Sequence, residues 1–262
     1  MKNNPEILFF DDFTAPSLDR TIWNVETTDQ IYNHEQQAYI DSPETIFLSQ
    51  TEPDCGGALI LQARHRPGFV TPQGARFDFV SGRINTREKV TFRYGRVSAR
   101  LKLPLFPGAW PAFWALGGGG AWPACGEVDI LEAVGEPDWV SAAAHGPNYS
   151  GEAGLVNKKY FLPPHSPADW HIYTATCAPD SLTFFVDDEL IYRITRPMAT
   201  FFGDWAFDTE KFLILNLALG GTYPFKTNGA SQPYYGLSAQ SVQAIQTNQV
   251  RFVIDWVKIA AL

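Results

Sequence analysis

The sequence is short of cysteine, short of basic residues and free of long apolar runs, and each shortage removes a class of protein. Three cysteines in 262 residues, Cys55, Cys125 and Cys177, give neither an even disulfide framework nor a metal-ligand spacing. At most one disulfide could form; the expectation is free thiols packed as small apolar side chains. Cys125 has no base beside it and is not read as a nucleophile. Lysine and arginine number 20 against 28 acidic residues, a formal net charge of −8. A nucleic-acid or anionic-membrane partner requires a basic patch, so neither is expected, and a heavily sulfated polysaccharide is disfavoured. No apolar run reaches the length of a membrane-spanning helix, and Met1 to Glu6 shows no apolar core of a signal peptide. What the chain has instead is aromatic: 14% of residues, eight of them Trp. That exceeds ordinary core demand, so half of the Trp are expected in the core and half along a cleft.

The organisation reads as one domain over residues 1–262, all-β. Short apolar or alternating stretches recur between turn signals, without long helical periodicity. Ile7-Leu8-Phe9-Phe10, Ala58 to Arg64, Trp139 to Gly146, Trp170 to Cys177, Phe212 to Ala218 and Arg251 to Ile259 are expected strands. In Gly95 to Leu103, Val97, Ala99, Leu101 and Leu103 point one way, and Arg96, Ser98, Arg100 and Lys102 point to a solvated face. Residues 182–193 form a hairpin with a solvated tip at Asp187-Asp188-Glu189. Residues 146–169, rich in Gly, Pro, Asn and Ser, are expected to be one long loop on a cleft rim.

The chemistry gathers in Gly126-Glu127-Val128-Asp129-Ile130-Leu131-Glu132-Ala133-Val134-Gly135. Val128, Ile130 and Leu131 favour a strand, on which Glu127 and Asp129 share a face about 6.8 Å apart. Glu132 would then face the other way. A one-residue bulge between Asp129 and Glu132 restores it, and bulges of this kind collect at active sites. Three acids on one face are usually solvated decoration. The neighbours change the odds: Trp110 and Trp114 share a strand face opposite Phe113, and Trp122 follows the glycine run 117–120. Aromatic rings beside paired carboxylates suit a sugar-binding cleft, because a pyranose lays its C–H face on such a ring.

These residues resemble glycoside hydrolase family 16. Glu127-x-Asp129-x-x-Glu132 matches the family's bulged, laminarinase-like signature; the form one residue shorter belongs to the lichenase branch. In order along the chain, Ser81-Gly82-Arg83-Ile84, Tyr94-Gly95-Arg96-Val97, Trp110 to Trp114, Trp122 to Gly126, His145-Gly146-Pro147 and Leu215 to Gly221 fit as well. The resemblance implies a β-jelly-roll sandwich of two antiparallel sheets with a concave substrate cleft. It implies a retaining endo-β-glucanase acting on β-1,3 or mixed β-1,3/1,4 glucan. Glu127 is then the nucleophile, Glu132 the acid/base and Asp129 the residue that orients Glu127. Asn33, in a polar loop resembling the family's Asn-x-Glu-Gln-x-x-Tyr segment, is expected to hydrogen-bond a sugar. Trp110, Trp114 and Trp122 are expected to stack on sugar rings, and Arg83 to clamp a sugar hydroxyl or a carboxylate of the acidic strand. His145 is placed to bond Asp129 or substrate, with no partner at metal-ligand spacing.

The resemblance implies no catalytic cofactor; it allows a structural calcium at Asp255, with main-chain carbonyls from the N-terminal segment, and a metal-free form is equally consistent. The remaining expectations are a polysaccharide partner, a monomer and a secreted enzyme. Two alternatives stay open: a β-galactan hydrolase of the same fold (agarase, carrageenase or 1,3-galactanase-like), and a non-catalytic β-glucan-binding module. Relatives of the last kind have lost one or both glutamates, whereas both stand here.

Overall fold

The computed structural model describes residues 5–28 and 30–262; Met1 to Asn4, part of the segment expected to lack a signal-peptide core, lie outside them. Two eight-stranded sheets stack face to face. The outer sheet runs Glu189–Thr195, Ser181–Val186, His171–Ala178, Gly95–Lys102, Arg251–Ala260, Ala58–Gln62 and Ile46–Ser49, with Ile7–Asp11 also on Arg251–Ala260. The cleft sheet runs Leu155–Tyr160, Trp139–His145, Glu127–Glu132, Ala109–Gly117, Lys211–Leu219, Arg83–Asn85 and Asn24–Val25, with Thr91–Phe92 also on Lys211–Leu219. Every pairing within these two sheets is antiparallel.

The core lies between the sheets, where alternation sends one side chain in two inward. Phe113, Val128, Leu213, Leu215 and Leu217 from the cleft sheet meet Val97, Ala99, Leu101, Tyr173, Phe252 and Ile254 from the outer one. The other row of the cleft sheet faces away from this core and lines the groove.

Three features depart from the expectation. A small third sheet joins Gln37–Tyr39, Arg76–Ser81 and Arg64–Val70, and its first pair is parallel. Residues 146–169 are not one loop, because Leu155–Tyr160 pairs with Trp139–His145 as an edge strand. Among the described residues three short α-helices also occur, Arg196–Phe202, Thr222–Asn228 and Ala239–Gln246. Each spans about two turns, too few to print a 3.6-residue period. Their ends are marked locally: Thr195 and Ser238 accept from the main-chain N–H of Met198 and Ser241, and Gly229 closes the second in the left-handed region.

The polar row of Gly95–Lys102 is engaged more than solvated. Arg96 pairs with Asp188, Ser98 with Thr174 and Arg100 with Asp255. The hairpin tip is exposed as expected, and Asp187 and Glu189 also pair there with His171 and Lys159. Among the described residues all three cysteines are free thiols. No described helix is long and apolar enough to cross a membrane.

Candidate active site

The expected bulge is present. Against Ala109–Gly117, Phe113 faces Leu131 and Trp114 faces Asp129, so Ile130 is the extra residue; against Trp139–His145 the register breaks between Asp129 and Glu132. Energetics select this backbone. Ile130 and Leu131 are 2% and 0% exposed, and each aliphatic side chain so buried contributes about 1.5–3 kcal/mol. A regular strand puts Leu131 in the groove and the Glu132 carboxylate in the apolar core, at a cost of several kcal/mol for an unpaired ion. One unpaired residue is the cheaper solution. Gly126 launches the strand at φ +79° with its Cα against Ala206, where a side chain has no room.

Glu127, Asp129 and Glu132 therefore line one cleft of about 740 Å³, together with Trp110, Trp114 and Trp122. Trp122 Nε1 donates to Glu127 Oε2 at 2.8 Å. Trp110 Nε1 donates to Glu132 Oε1 at 3.0 Å. Trp114 Nε1 donates to Asn216 Oδ1 at 2.7 Å. Sequence pattern marked these indoles as stacking platforms; their N–H groups also hold two of the acids. Of the eight Trp, three line the cleft, and Trp23 and Trp139 are buried. The other three are half-buried elsewhere, so the expected even split between core and cleft is not met.

Asp129 is 3% exposed and hydrogen-bonds Glu127. His145 Nε2 stands 3.2 Å from Asp129 Oδ2 and 3.9 Å from Glu127 Oε1. These three groups bring their ligand atoms within 4.8 Å of one another, and the Trp122 N–H already supplies a positive partner to Glu127. Burial drives the acids toward their protonated forms. Asp129 is held well above the usual carboxylate range by burial and then by the charge of Glu132. Burial also raises Glu127, with Asp129 adding to it, and raises Glu132, with Glu127 adding to it.

That has a consequence for stability. The folded state keeps protons that the unfolded chain releases at ordinary carboxylate values. Stability is therefore full below those values and falls as pH rises through the raised ones. The expected result is a Tm that declines between about pH 5 and pH 8, with a flatter profile in Glu127→Gln. A wild-type Tm that climbs across this window contradicts the assignment.

Elsewhere the expected residues part company. Asn33 lines the cleft as an exposed residue at φ 51°. Arg83 lines it too, but clamps no acid of the strand: it pairs with Glu26 and lies over the Trp114 ring at 5.1 Å. Glu26 is simply nearer. Asp255 faces Arg100 Nη1 at 2.5 Å on the outer sheet. With its charge taken up by a guanidinium it does not fit a calcium ligand, so a calcium at Asp255 is not supported. Arg100→Ala is expected to cost about 1–3 kcal/mol by stranding Asp255.

Sequence reading missed several residues in or beside the cleft. Asn216 passes a hydrogen bond from Trp114 to the Tyr39 hydroxyl, and Glu35 accepts from Gln37 Nε2 at 2.8 Å. A lone Asn between Leu215 and Leu217 was a usable signal. Glu26 and Tyr223 carried none, because a loop and a two-turn helix bring them in.

Residues 23–233 match the family described as glycosyl hydrolases family 16. The chain belongs to glycosyl hydrolase family 16. Over 179 residues it is 37% identical to the β-glucanase of Rhodothermus marinus, spanning 64% of this chain and 60% of that one. Over 242 residues it is 30% identical to glucan endo-1,3-β-glucosidase A1 of Niallia circulans, spanning 83% and 34%. The family 16 chain thus covers less than two thirds of the length of these curated relatives. Among solved structures it superposes on the laminarinase catalytic domain of Thermotoga maritima with a TM-score of 0.83, at 29% identity, over 99% of both chains. Fold and family are settled by these matches and agree with the expectation from the acidic strand.

Proposed function

We propose that this chain is a retaining endo-β-glucanase that cleaves β-1,3 or mixed β-1,3/1,4 glucan by double displacement. The observation that carries the reading is the bulged strand, which turns Glu127 and Glu132 to one cleft, each gripped by an indole N–H.

Of the three acids, Glu127 takes the charge. It accepts from Trp122, with His145 alongside, and hydrogen bonds to the charged form favour it. Glu132 accepts only from Trp110. Charge on Glu127 raises Glu132 and keeps it protonated. Glu127 attacks the anomeric carbon, the glycosidic C–O bond breaks, and Glu132 delivers its proton to the leaving oxygen. Glu132, left ionised by that transfer, persists as a carboxylate because the charge on Glu127 is gone, and it takes a proton from the attacking water. The resulting hydroxide displaces Glu127 and frees the sugar with its configuration retained. Asp129 orients Glu127, and His145 backs Asp129. Trp110, Trp114, Trp122, Asn33 and Arg83 hold the chain of sugars, and no cofactor enters any step.

The test is NMR of the first sugar released from laminarin and from barley glucan, with agarose and a 1,3-galactan as contrasts. β-Anomer first, with viscosity falling ahead of reducing ends, is expected on the glucans. α-Anomer first rules out retention, cleavage only of the galactans moves the sugar, and binding without cleavage makes the chain a recognition module. Polymeric glucan lies outside cells, so secretion as a monomer belongs to this proposal; glucanase activity in culture medium and a 29 kDa elution volume test it.

A further inference from the structure

Tyr223, on the helix Thr222–Asn228, packs against the cleft-lining Trp110 and is linked to Glu132 by two routes. Its ring meets Trp110 edge-to-face, with centroids 5.5 Å apart and planes at 78°. Trp110 Nε1 in turn donates to Glu132 Oε1. Its hydroxyl lies 3.1 Å from Ser141 Oγ, and Ser141, the register partner of Glu132, donates to the Glu132 main-chain carbonyl at 3.3 Å. The contacts close a ring that begins and ends on Glu132.

Counting protons fixes the direction of each bond. Ser141 has one hydroxyl hydrogen and gives it to the carbonyl, so Tyr223 donates to Ser141. Tyr223 keeps that hydrogen at any working pH, because burial and then the charge of Glu132 push its pKa far up. On the other side, the Trp110 N–H occupies Oε1, leaving Oε2 as the oxygen that carries a proton.

We propose that Tyr223 is a positioning residue for Glu132. Through Trp110 and Ser141 it fixes the carboxyl so that the protonated Oε2 faces the glycosidic oxygen. The inference rests on Glu132 being the acid/base, and it deepens that reading by naming what orients the acid.

Acid assistance matters in proportion to the basicity of the leaving group, which separates this role from general scaffolding. A sugar alkoxide needs the proton; a dinitrophenolate does not. Tyr223→Phe keeps the ring on Trp110 and removes only the hydroxyl. Its kcat on laminarin is expected to fall roughly 10- to 100-fold with KM little changed. The initial burst from a 2,4-dinitrophenyl β-laminaribioside is expected to stay at the wild-type rate. Ser141→Ala cuts the same bond from the other end and should reproduce both results. The double variant should be no worse than either single one, as for two halves of one interaction. Equal losses on both substrates, no loss on laminarin, or additive losses overturn the proposal. Ser141→Ala decides the question if Tyr223→Phe does not fold. Glu132→Ala run alongside separates the two levels. If it loses both substrates alike, the acid/base assignment is at fault; if it spares the burst while Tyr223→Phe does not, only the role of Tyr223 is.

Discussion

Glu127→Gly is expected to abolish glucan turnover, by roughly four to six orders of magnitude, and azide is expected to restore cleavage of an activated glycoside. The size follows from the role. Without a nucleophile there is no covalent intermediate, and only binding and residual polarisation remain. Rescue follows from the geometry. Removing the side chain opens space beside the anomeric carbon, still flanked by the Trp122 N–H and by His145, which had faced the negative carboxylate. A small anion fits that space and attacks from the same face. With no carboxylate left to form the first intermediate, the reaction is a single displacement, so the product is the α-glycosyl azide. The measurement is dinitrophenolate release with and without azide, followed by NMR of the sugar product. Release that azide does not accelerate, or a β-azide, removes Glu127 from the nucleophile role. The fold is expected to survive, because Glu127 lines the cleft and the strand is held by Val128, Ile130 and Leu131 in the core.

Glu132→Ala is the second large effect and has a different signature. General acid catalysis supplies roughly 10²- to 10⁴-fold, so turnover of laminarin should drop by that order. A dinitrophenyl glycoside should still glycosylate Glu127 at a near-normal rate, because its leaving group needs no proton. The second step lacks its base, so the covalent intermediate should build up and be visible by intact-protein mass spectrometry. The basic limb of the kcat/KM pH profile, which reports loss of the Glu132 proton, should also disappear. Equal slowing of both substrates, or a basic limb that persists, would mean that another group supplies the proton. Trp110 bears on the same point, since its N–H is the only donor on the Glu132 carboxyl among the described residues.

The sequence alone determined the all-β class, the acidic strand and its bulge, the Trp-lined cleft and the family. These are matters of local pattern. Alternation, turn residues and the spacing of Glu127, Asp129 and Glu132 are written in consecutive positions, and an aliphatic pair that must be buried forces the kink between them. Only the tertiary structure decided the partners. Arg83 meets Glu26 and not the acidic strand, Asp255 meets Arg100 and not a cation, and the indoles of Trp110 and Trp122 donate to Glu132 and Glu127. Tyr223 comes from a helix too short to show a period, and Leu155–Tyr160 is an edge strand whose mostly exposed side chains hide its pairing. Strand identity depends on near neighbours in the chain. A charge or a hydrogen-bond donor pairs with whatever the fold brings within about 3 Å, and that is set by residues tens to hundreds of positions away.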